Sequence, residues 1–306
     1  MEKLEVSVIL PVHNPRGDWI RSSVESVFNQ KYGNWELVIV DDNSPVPPRE
    51  VLPEEQMTDD RVSVHRRMEN GGFTAATNTA IEESNGKYIA PIGQDDLWRA
   101  GKLEKQVSAI EGEGADAVFT RTAVIDSEGE EVRVDGVFPD HNRLDELFMH
   151  PYPCYESALY RSRVFERYGN LDESYDIASD WEFWLRVFPD ISIVYLDDTL
   201  TMKRTHPGAK STDLQTRVEE DGRLLRTYLD RYDIGSDLRR RALTNHYRKK
   251  GKRLYEEGKR RDARNLWMQS FSSYPSDVLS LFLLMVSVNP YLYIIVDRLY
   301  SKLLAD

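Results

Sequence analysis

Residues 88–98 read YIAPIGQDDLW, an apolar run that ends in the paired carboxylates Asp95 and Asp96. The apolar part is typical of a strand that is buried on both faces of a parallel sheet. In an open sheet of this kind, ligands bind beyond the carboxyl ends of the strands. The sequence therefore predicts a site for a hard cation, and with it a phosphate, directly after this strand.

A second apolar run ends in the same way. Residues 35–40 read WELVIV and are followed by Asp41 and Asp42, with Asn43 and Ser44 next. One such pair can equally be a turn or a helix cap, because these side chains satisfy backbone donors where a strand stops. Two pairs after successive strands favour a shared site at one edge of the sheet over two unrelated caps.

The alternation of patterns along the chain predicts an α/β fold with a mostly parallel sheet. Apolar runs alternate with stretches of helical periodicity, which is typical of βαβ units. Segment 41–60 is expected to be a loop with a short helix. We expect strands over 6–11, 35–40, 62–65 and 88–92, and helices over 20–30, 72–84 and 102–111.

From Ala117 the pattern changes to shorter strands and turns. The sequence predicts a hairpin loop at 127–130, a helix over 178–187, a strand over 193–196 and a long polar helix over 212–231. We place the domain boundary at 233–235. Residues 1–234 then form the main domain, and 235–306 form a basic helical region.

That C-terminal region carries two further patterns. Residues 254–275 resemble a single tetratricopeptide-like helix pair, and one such unit forms a helical appendage because a solenoid needs several repeats. Residues 278–296 contain no charge, which raises the question of a membrane span. Since Asn289 and Pro290 interrupt this segment, we expect two short interfacial or packed helices instead of one span.

Composition narrows the class of protein. The chain of 306 residues is long enough for one substantial α/β domain and an appendage. Its single cysteine, Cys154, excludes an internal disulfide framework and fits a reducing compartment. We interpret Cys154 as a packing residue and not a nucleophile, because no histidine–carboxylate pattern surrounds it.

The charge is uneven along the chain. The net charge of −12 argues against a nucleic-acid binder. Residues 235–306 hold 14 basic and 7 acidic residues, a net of +7, so residues 1–234 carry −19. Arginine outnumbers lysine more than twofold, and 52 acidic residues outnumber 40 basic ones. This composition indicates adaptation to high salt, as in a halophilic archaeon, with drift in an acidic cytosolic enzyme as the alternative.

The order of motifs over the first two thirds of the chain resembles family 2 glycosyltransferases of the GT-A fold. The resemblance lies in the order and spacing of the motifs and not in any one of them. It rests on VSVILPVHN at 6–14, SVFNQ at 26–30, ELVIVDDNS at 36–44, NGG at 70–72 with Ala76 and Asn78, GKYIA at 86–90, and Asp95-Asp96.

The resemblance implies a donor site for a nucleotide sugar in residues 1–116, with the acceptor half in 117–234. Asp42 corresponds to the family aspartate that contacts uracil, and a carboxylate that accepts an imide N–H discriminates between bases. A UDP-sugar is therefore the expected donor. Pro11, His13 and Asn14 frame the base, and Asn78 and Gln94 belong to the same predicted site. His13 is either a stacking residue or an ordinary surface histidine.

The resemblance also implies a divalent cation, Mg²⁺ or Mn²⁺, that neutralises the leaving diphosphate. The family motif Asp-x-Asp-Asp reads Gly93-Gln94-Asp95-Asp96 here, so its first carboxylate is missing. Asp95 is the expected metal ligand. Arg204 and His206, in KRTHPG at 203–208 with Ser211 nearby, resemble the basic loop that closes over the diphosphate, and His206 is a second candidate metal ligand.

The second chemical centre is SDWEFWLR at 179–186, which resembles the family segment that holds the general base. Displacement at the anomeric carbon needs an acceptor hydroxyl that loses its proton, and Asp180 is the expected proton acceptor. A helix N-terminal role for Asp180 is compatible with that function. Trp181 and Trp184 are candidates for stacking on acceptor sugars, although core packing is the simpler interpretation of Trp184.

These features predict an inverting glycosyltransferase that uses a UDP-sugar. Basic runs at 239–241 and 248–253 precede the uncharged tail, which suits an anionic membrane surface and suggests a lipid-linked glycan acceptor such as a dolichyl or polyprenyl phosphate saccharide. A solvated helix face is the alternative. Because the first strand begins close to Met1, we expect no signal peptide and a place at the cytoplasmic face of the cell membrane.

Two other classes of function compete with this prediction. A noncatalytic nucleotide-sugar binding protein could arise from the loss of the carboxylate at Gly93. A sugar nucleotidyltransferase shares the sheet and the metal, but it needs a glycine-rich phosphate loop after the first strand, where this chain reads PVHN.

Overall fold

The computed structural model describes residues 4–135, 144–149, 154–209 and 213–288. These residues form two compact units. The first comprises the described residues up to Leu144 and those from 154 to Ala209, and the second comprises 145–149 and 213–288. All the described strands lie in the first unit.

The amino-terminal half of the sheet is parallel. Strand β1 (Val6–Val12) lies between β2 (Trp35–Asp41) and β4 (Tyr88–Pro91), and β2 pairs in turn with β3 (Val62–Arg66). Every residue of β1 and β4 is buried, as expected for strands covered on both faces. The predicted α/β fold is confirmed, and its parallel pairing holds throughout these four strands.

The other half of the sheet has mixed pairing. The order across the described sheet is β3-β2-β1-β4-β8-β6-β9-β5, with β7 paired to β6, and the predicted hairpin loop at 127–130 lies between β6 and β7. Strands β6 and β9 are parallel, whereas β8 is antiparallel to β4 and to β6. The bounds are β5 (Leu97–Trp98), β6 (Ala117–Ile125), β7 (Glu131–Asp135), β8 (Leu159–Arg161) and β9 (Ile193–Arg204).

Helices cover the sheet through apolar faces. Helix α1 buries Ile20, Val24 and Val27, which are spaced so that they lie on one face and pack into the core of β1, β2 and β4. The helices of this unit are α1 (Gly17–Phe28), α2 (Pro48–Val51), α3 (Glu54–Met57), α4 (Gly72–Glu82), α5 (Lys102–Gly112), α7 (Ser162–Tyr168) and α8 (Ser179–Val187), with 3₁₀ turns at Tyr155–Ser157 and Phe188–Asp190.

The second unit is helical and has its own core. Ala263 and Trp267 are fully buried there. Gly251 permits a close approach of two helices, because a Cβ at that position would lie 2.4 Å from Nε1 of Trp267. The bounds are α6 (Leu144–Met149, whose first residue clusters with the first unit), α9 (Leu214–Arg231), α10 (Ser236–Glu256), α11 (Arg260–Ser273) and α12 (Val278–Val288).

The helical appendage is confirmed. The segment 254–275, predicted as one helix pair, holds the whole of α11 but only the last three residues of α10, because α10 begins at Ser236. The compact units separate after Ala209, so α9 clusters with the C-terminal helices, whereas the sequence placed it in 1–234. The division into a donor half and an acceptor half stays a prediction. The structure describes helix α12 of the uncharged tail, whereas residues 289–296 lie outside the described ranges. Ser211, named with the predicted diphosphate loop, also lies outside them. No described helix is long and apolar enough to cross a membrane.

Candidate active site

The carboxyl ends of β1, β2 and β4 bring several predicted donor residues together. The backbone N–H of His13 donates to Oε1 of Gln94 at 3.0 Å, and Nε2 of Gln94 donates to the carbonyl of His13 at 3.2 Å. Nδ1 of the His13 ring lies 2.9 Å from the carbonyl oxygen of Asp42. Pro11 is buried within β1 and faces Val40 of β2 in the register. His13 itself is exposed and accessible to a ligand.

The loops after β1 and β2 are tied to each other. Asn14 adopts a left-handed backbone with φ of 47°, and Asn43 does so with φ of 56°. Asparagine tolerates this conformation better than most residues. The backbone N–H of Asn14 donates to Oγ of Ser44 at 2.9 Å. The two asparagines of the sequence motifs therefore shape a joined pair of loops at the sheet edge.

Asp42 is buried and holds the N-terminus of α4. Its Oδ1 accepts the N–H of Gly71 at 3.0 Å, its Oδ2 accepts the N–H of Gly72 at 2.7 Å, and Nε of Arg67 lies 3.0 Å from Oδ1. A carboxylate at a helix N-terminus is favoured by the helix dipole. The predicted contact of Asp42 with a uracil ring stays a prediction, and it would use acceptor positions that these donors leave open.

Asp41 has the role of a turn cap. Its Oδ1 accepts the N–H of Ser44 at 2.9 Å, and its Oδ2 accepts Nη1 of Arg66 at 2.7 Å. The side chain is 1% exposed. For this aspartate, the capping interpretation of the paired motif is the one that the geometry matches.

Asp95 and His206 meet at the end of β4. Nε2 of His206 lies 2.9 Å from Oδ2 of Asp95, and the two side chains are 17% and 25% exposed. The His206 ring lies 4.6 Å from the ring of Trp19 on α1, centroid to centroid. No sequence pattern points to Trp19, because only the tertiary fold brings α1 to this place.

Gly93 leaves no room for the missing carboxylate. A Cβ at Gly93 would lie 2.6 Å from Oδ2 of Asp96 and 3.2 Å from Oδ1 of Asp95. The carbonyl oxygen of Gly93 also accepts Oγ of Ser23 on α1 at 2.9 Å. The departure from the family motif is thus accompanied by close packing of Asp96 into the space beside the glycine.

Arg204 and Asp96 fix the end of β9 against this site. The backbone N–H of Arg204 donates to Oδ1 of Asp96 at 2.9 Å, and its guanidinium donates to the carbonyls of Asp95 and Asp126 at 3.0 and 2.8 Å. Arg204 is 6% exposed, and its contact with a diphosphate stays a prediction. Burial, together with the Asp95 and Glu156 carboxylates, raises the pKa of Asp96 well above its ordinary value.

A charged cluster that the sequence did not predict lies beside Asp96. Oε2 of Glu156 accepts the Cys154 thiol at 2.8 Å and Nζ of Lys203 at 3.0 Å. Burial raises the pKa of Glu156, but Lys203 and Cys154 outweigh burial and hold this pKa below its ordinary value. Burial and the Glu156 carboxylate raise the pKa of the Cys154 thiol well above its usual range, as fits a packing residue and not a nucleophile.

Asp180 lies in the first turn of α8. Its Oδ1 accepts the N–H of Trp181 at 2.7 Å, so the side chain occupies the helix N-terminal position that the sequence predicts as compatible with its role. The preceding Ser179 accepts Oγ1 of Thr74 at 2.9 Å, which joins the N-termini of α8 and α4. Trp184 is buried and donates its indole N–H to the Tyr160 hydroxyl at 2.8 Å, so it packs in the core.

Asn78 differs from the other predicted donor residues because its side chain forms hydrogen bonds with the segment that precedes α8. Its Nδ2 donates to the carbonyl of Leu171 and to Glu173, both at 2.9 Å, and its Oδ1 accepts the N–H of Leu171 at 3.0 Å. The amide therefore braces the chain before α8. A direct role for Asn78 in donor binding stays a prediction.

Residues 7–169 match the model of "Glycosyl transferase family 2", more than half of the chain. This chain belongs to that family, and the resemblance seen in its motifs is confirmed.

Two curated relatives share the amino-terminal segment. The putative teichuronic acid biosynthesis glycosyltransferase TuaG of Bacillus subtilis is 37% identical over 124 residues, which cover 40% of this chain and 49% of TuaG. The UDP-Glc:alpha-D-GlcNAc-diphosphoundecaprenol beta-1,3-glucosyltransferase WfgD of Escherichia coli is 37% identical over 111 residues, 36% of this chain and 42% of WfgD. The match thus spans about half the length of these relatives.

A solved structure confirms the GT-A fold. The crystal structure of S. aureus TarS 1–349 in complex with UDP-GlcNAc superposes with a TM-score of 0.67 and 18% identity, and the match covers 97% of this chain and 92% of that one. At this identity the likeness concerns the fold alone.

Proposed function

We propose that this chain is an inverting, metal-dependent glycosyltransferase that moves a sugar from a UDP-sugar to a hydroxyl of a glycan acceptor. The observation that carries the proposal is the Asp95–His206 pair beyond the strand ends, in the same compact unit as Asp180 at the start of α8. Membership in family 2 supports it, and so do a relative named for a UDP-Glc donor and a TarS structure solved with UDP-GlcNAc.

The joined loops after β1 and β2 supply the nucleotide side of the site. The exposed His13 ring can stack on a base, and Asn14 and Gln94 hold the loop that presents it. Asp42 would accept the imide N–H of uracil. A base that lacks this donor would lose one hydrogen bond to a carboxylate that already accepts the N–H groups of Gly71 and Gly72. A hydrogen bond to a charged group contributes about 1.5–3 kcal/mol.

Asp95 and His206 fit a divalent cation whose remaining ligands would come from the substrate. Their carboxylate and imidazole atoms already lie 2.9 Å apart and are partly accessible. In the described part of the chain no group of three or more candidate ligands converges. Mg²⁺ commonly takes one or two carboxylates and substrate phosphates with waters, so such a short protein ligand set is sufficient. When bound, the ion would neutralise charge on the leaving diphosphate.

The proposed reaction is a direct displacement. The acceptor hydroxyl gives its proton to the Asp180 carboxylate while its oxygen bonds to the anomeric carbon. The bond between that carbon and the β-phosphate oxygen breaks, and UDP leaves with the electron pair. Attack from the face opposite to the leaving group inverts the anomeric configuration.

The acceptor is proposed to be a lipid-linked saccharide at an anionic membrane surface on the cytoplasmic side. Helix α12 exposes Leu281, Phe282 and Met285 on its surface, next in sequence to the basic helices α10 and α11. Exposed apolar residues near basic ones suit an anionic lipid surface. WfgD is named for a diphosphoundecaprenol acceptor, which supports the same class.

Screening the purified protein against UDP-sugars and GDP-mannose, with a lipid extract as acceptor, tests this function. We expect acceptor-dependent release of UDP and, by NMR, a product of inverted anomeric configuration. Retention of configuration would overturn the displacement mechanism. Binding of UDP-sugar without transfer to any acceptor would instead favour the noncatalytic alternative, and release of pyrophosphate from UTP would indicate a nucleotidyltransferase.

A further inference from the structure

His206 lies in the segment that follows β9, beyond the end of the strand. Its neighbours Thr205 and Pro207 are exposed, whereas the His206 side chain is only 17% exposed. Oδ2 of Asp95 lies 2.9 Å from its Nε2, and the ring of Trp19 lies 4.6 Å from its ring, centroid to centroid, with 52° between the two planes. Side-chain contacts, and not regular backbone structure, therefore fix the place of this imidazole.

Helix α1 contacts both members of the Asp95–His206 pair through one of its faces. Trp19 and Ser23 are four residues apart, which places them on the same side of the helix. Oγ of Ser23 donates to the carbonyl of Gly93 at 2.9 Å, which ties α1 to the segment that carries Asp95. The Trp19 ring ties the same face to His206. The spacing between the carboxylate and the imidazole thus depends on this helix.

The Trp19 indole is restrained independently of His206. Cζ of Arg16 lies 4.2 Å from the centre of the indole ring, and Cζ of Arg204 lies 5.2 Å from it. Both distances are within the range of a cation–π contact, for which tryptophan is the most favourable aromatic residue. The Arg204 guanidinium is itself fixed by the carbonyls of Asp95 and Asp126. The indole can therefore act as a fixed support on which the imidazole packs.

We propose that Trp19 is a positioning residue for His206, whose ring it holds within reach of the cation that Asp95 and His206 would share. The inference rests on the proposed function of that pair. Trp19 acts through His206 and touches neither the cation nor the diphosphate. Another aromatic ring at this position would supply part of the contact, whereas an aliphatic side chain would cover the helix without a ring for the imidazole to pack on.

The first test is Trp19→Leu, which removes the ring and keeps an apolar side chain. With Mn²⁺ in excess, we expect the variant to bind UDP about three- to tenfold more weakly than wild type, because an aromatic pair is lost. In excess chelator the two proteins should bind UDP equally well. Titration calorimetry in both conditions measures the difference. Equal affinity with Mn²⁺, or the same loss of affinity in chelator, would overturn the proposal.

Two further variants separate positioning from packing. Trp19→Phe keeps a ring and should recover most of the lost affinity. Phe28→Leu is the matched control, because it removes another partly buried ring of α1, which contacts Trp35 and Arg61. It should lower Tm about as much as Trp19→Leu does and leave the affinity for UDP with Mn²⁺ unchanged. If Phe28→Leu weakened this binding equally, the effect would come from the stability of α1 and the proposal would be wrong.

A double-mutant cycle shows whether Trp19 acts through His206. His206→Ala should weaken the binding of UDP with Mn²⁺, and the addition of Trp19→Leu to this variant should weaken it no further. Additive losses would mean that Trp19 acts on the donor by another route, and they would overturn the proposal.

A last measurement needs neither metal nor substrate. The Hε1 proton NMR signal of His206, assigned by its absence in His206→Ala, should shift in Trp19→Leu through loss of the indole ring current. At the same pH it should stay in place in Phe28→Leu. A signal that ignores Trp19→Leu overturns the Trp19 proposal even if UDP binding depends on metal. If wild type bound UDP equally with and without metal while the signal shifted, the proposed function of the Asp95–His206 pair would fall although the contact exists.

Discussion

At the residue scale, Asp180 is the group whose role is most easily separated from folding. The Asp180→Asn variant keeps an acceptor for the N–H of Trp181, so α8 should form normally. We expect UDP-sugar binding to persist and transfer to fall by a factor on the order of a hundred or more, because a positioned proton acceptor is lost. Calorimetric binding and single-turnover transfer measure the two effects, and wild-type turnover would remove Asp180 from the mechanism.

Asp95 should control binding only when metal is present. Excess chelator should abolish transfer, and Mn²⁺ or Mg²⁺ should restore it. The Asp95→Ala variant should bind UDP more weakly than wild type with metal, and equally well without it, as titration calorimetry in both conditions would show. Full activity in chelator would mean that the diphosphate is neutralised by protein groups alone.

Gly93 can be tested as a packing constraint. We expect Gly93→Ala to destabilise the protein by about 1–3 kcal/mol, since its methyl group would meet Oδ2 of Asp96 at 2.6 Å. Gly112→Ala is the matched control, because among the described residues, apart from its own helix backbone and chain neighbours, nothing lies within 4 Å of its added Cβ. Denaturant unfolding compares the two. If Gly93→Ala were as stable as Gly112→Ala, the residues around Gly93 would be able to rearrange. An aspartate could then be placed at position 93, as in the family motif.

The residues that the sequence predicted and those that it missed differ in a physical way. Asp95 and Asp42 follow apolar strands, and a parallel sheet brings such positions to one edge. Trp19 and the Glu156–Lys203 pair reach the site from α1, a 3₁₀ turn and β9, and no local period relates these segments. The positions of these three residues depend on how the elements pack against each other. No short sequence pattern indicates that packing.

At the element scale, β9 shows where pattern reading fails. The sequence predicts a strand over 193–196, but β9 continues to Arg204. Asp197 and Asp198 interrupt the apolar run, and each pairs with a basic side chain, Arg121 and Lys105 respectively. Charged residues are depleted in strands on average, so the partner of Asp197 on β6, the partner of Asp198 on α5 and the shifted register with β6 are needed to explain the length.

Helix α10 should make the second unit sensitive to acid. Burial lowers the pKa of His246 from 6.5 to about 4, against the opposite effect of Asp221 and with help from Lys250. Because the folded pKa lies below the unfolded one, the associated stability is present above pH 6.5 and is lost as the pH falls toward 4. The free energy of unfolding should fall by about 3 kcal/mol over this pH range.

Urea unfolding between pH 4 and 7 measures this loss by tryptophan fluorescence. His246→Phe should make the free energy of unfolding depend less on pH between 4 and 7. The reason is that a phenylalanine ring cannot take up the proton that His246 binds when the protein unfolds. His65→Gln, at a partly exposed position on β3, should keep the wild-type slope. A wild-type slope in His246→Phe would assign the acid sensitivity to carboxylates.

At the scale of the whole molecule, the charge distribution separates the chain into an acidic part and a basic one. Adaptation to high salt stays a prediction from this composition. The core of the second unit determines how the membrane proposal can be tested, because it contains the buried side chains of Leu283 and Val286 of α12. Truncation before α12 would therefore expose core residues, and substitutions on the exposed face are the better test.

Replacement of Leu281, Phe282 and Met285 by Ser should reduce sedimentation with anionic vesicles while UDP-sugar binding is retained. These side chains are 39%, 41% and 45% exposed, so their loss should cost little stability. The control replaces Val132 and Val134 on the β6–β7 hairpin by Ser and should sediment like wild type. Equal sedimentation of both variants with wild type, or none by any of them, would remove the basis for preferring a lipid-linked acceptor.

The bond between Thr74 and Ser179 sets a rule for exchanging parts between related enzymes. It joins the segment after the donor loops to the segment that carries Asp180, over 105 positions of sequence. A chimera that took its acceptor side from another enzyme would inherit one hydroxyl without its counterpart. Crossover points should therefore keep both residues from the same parent, or replace them together.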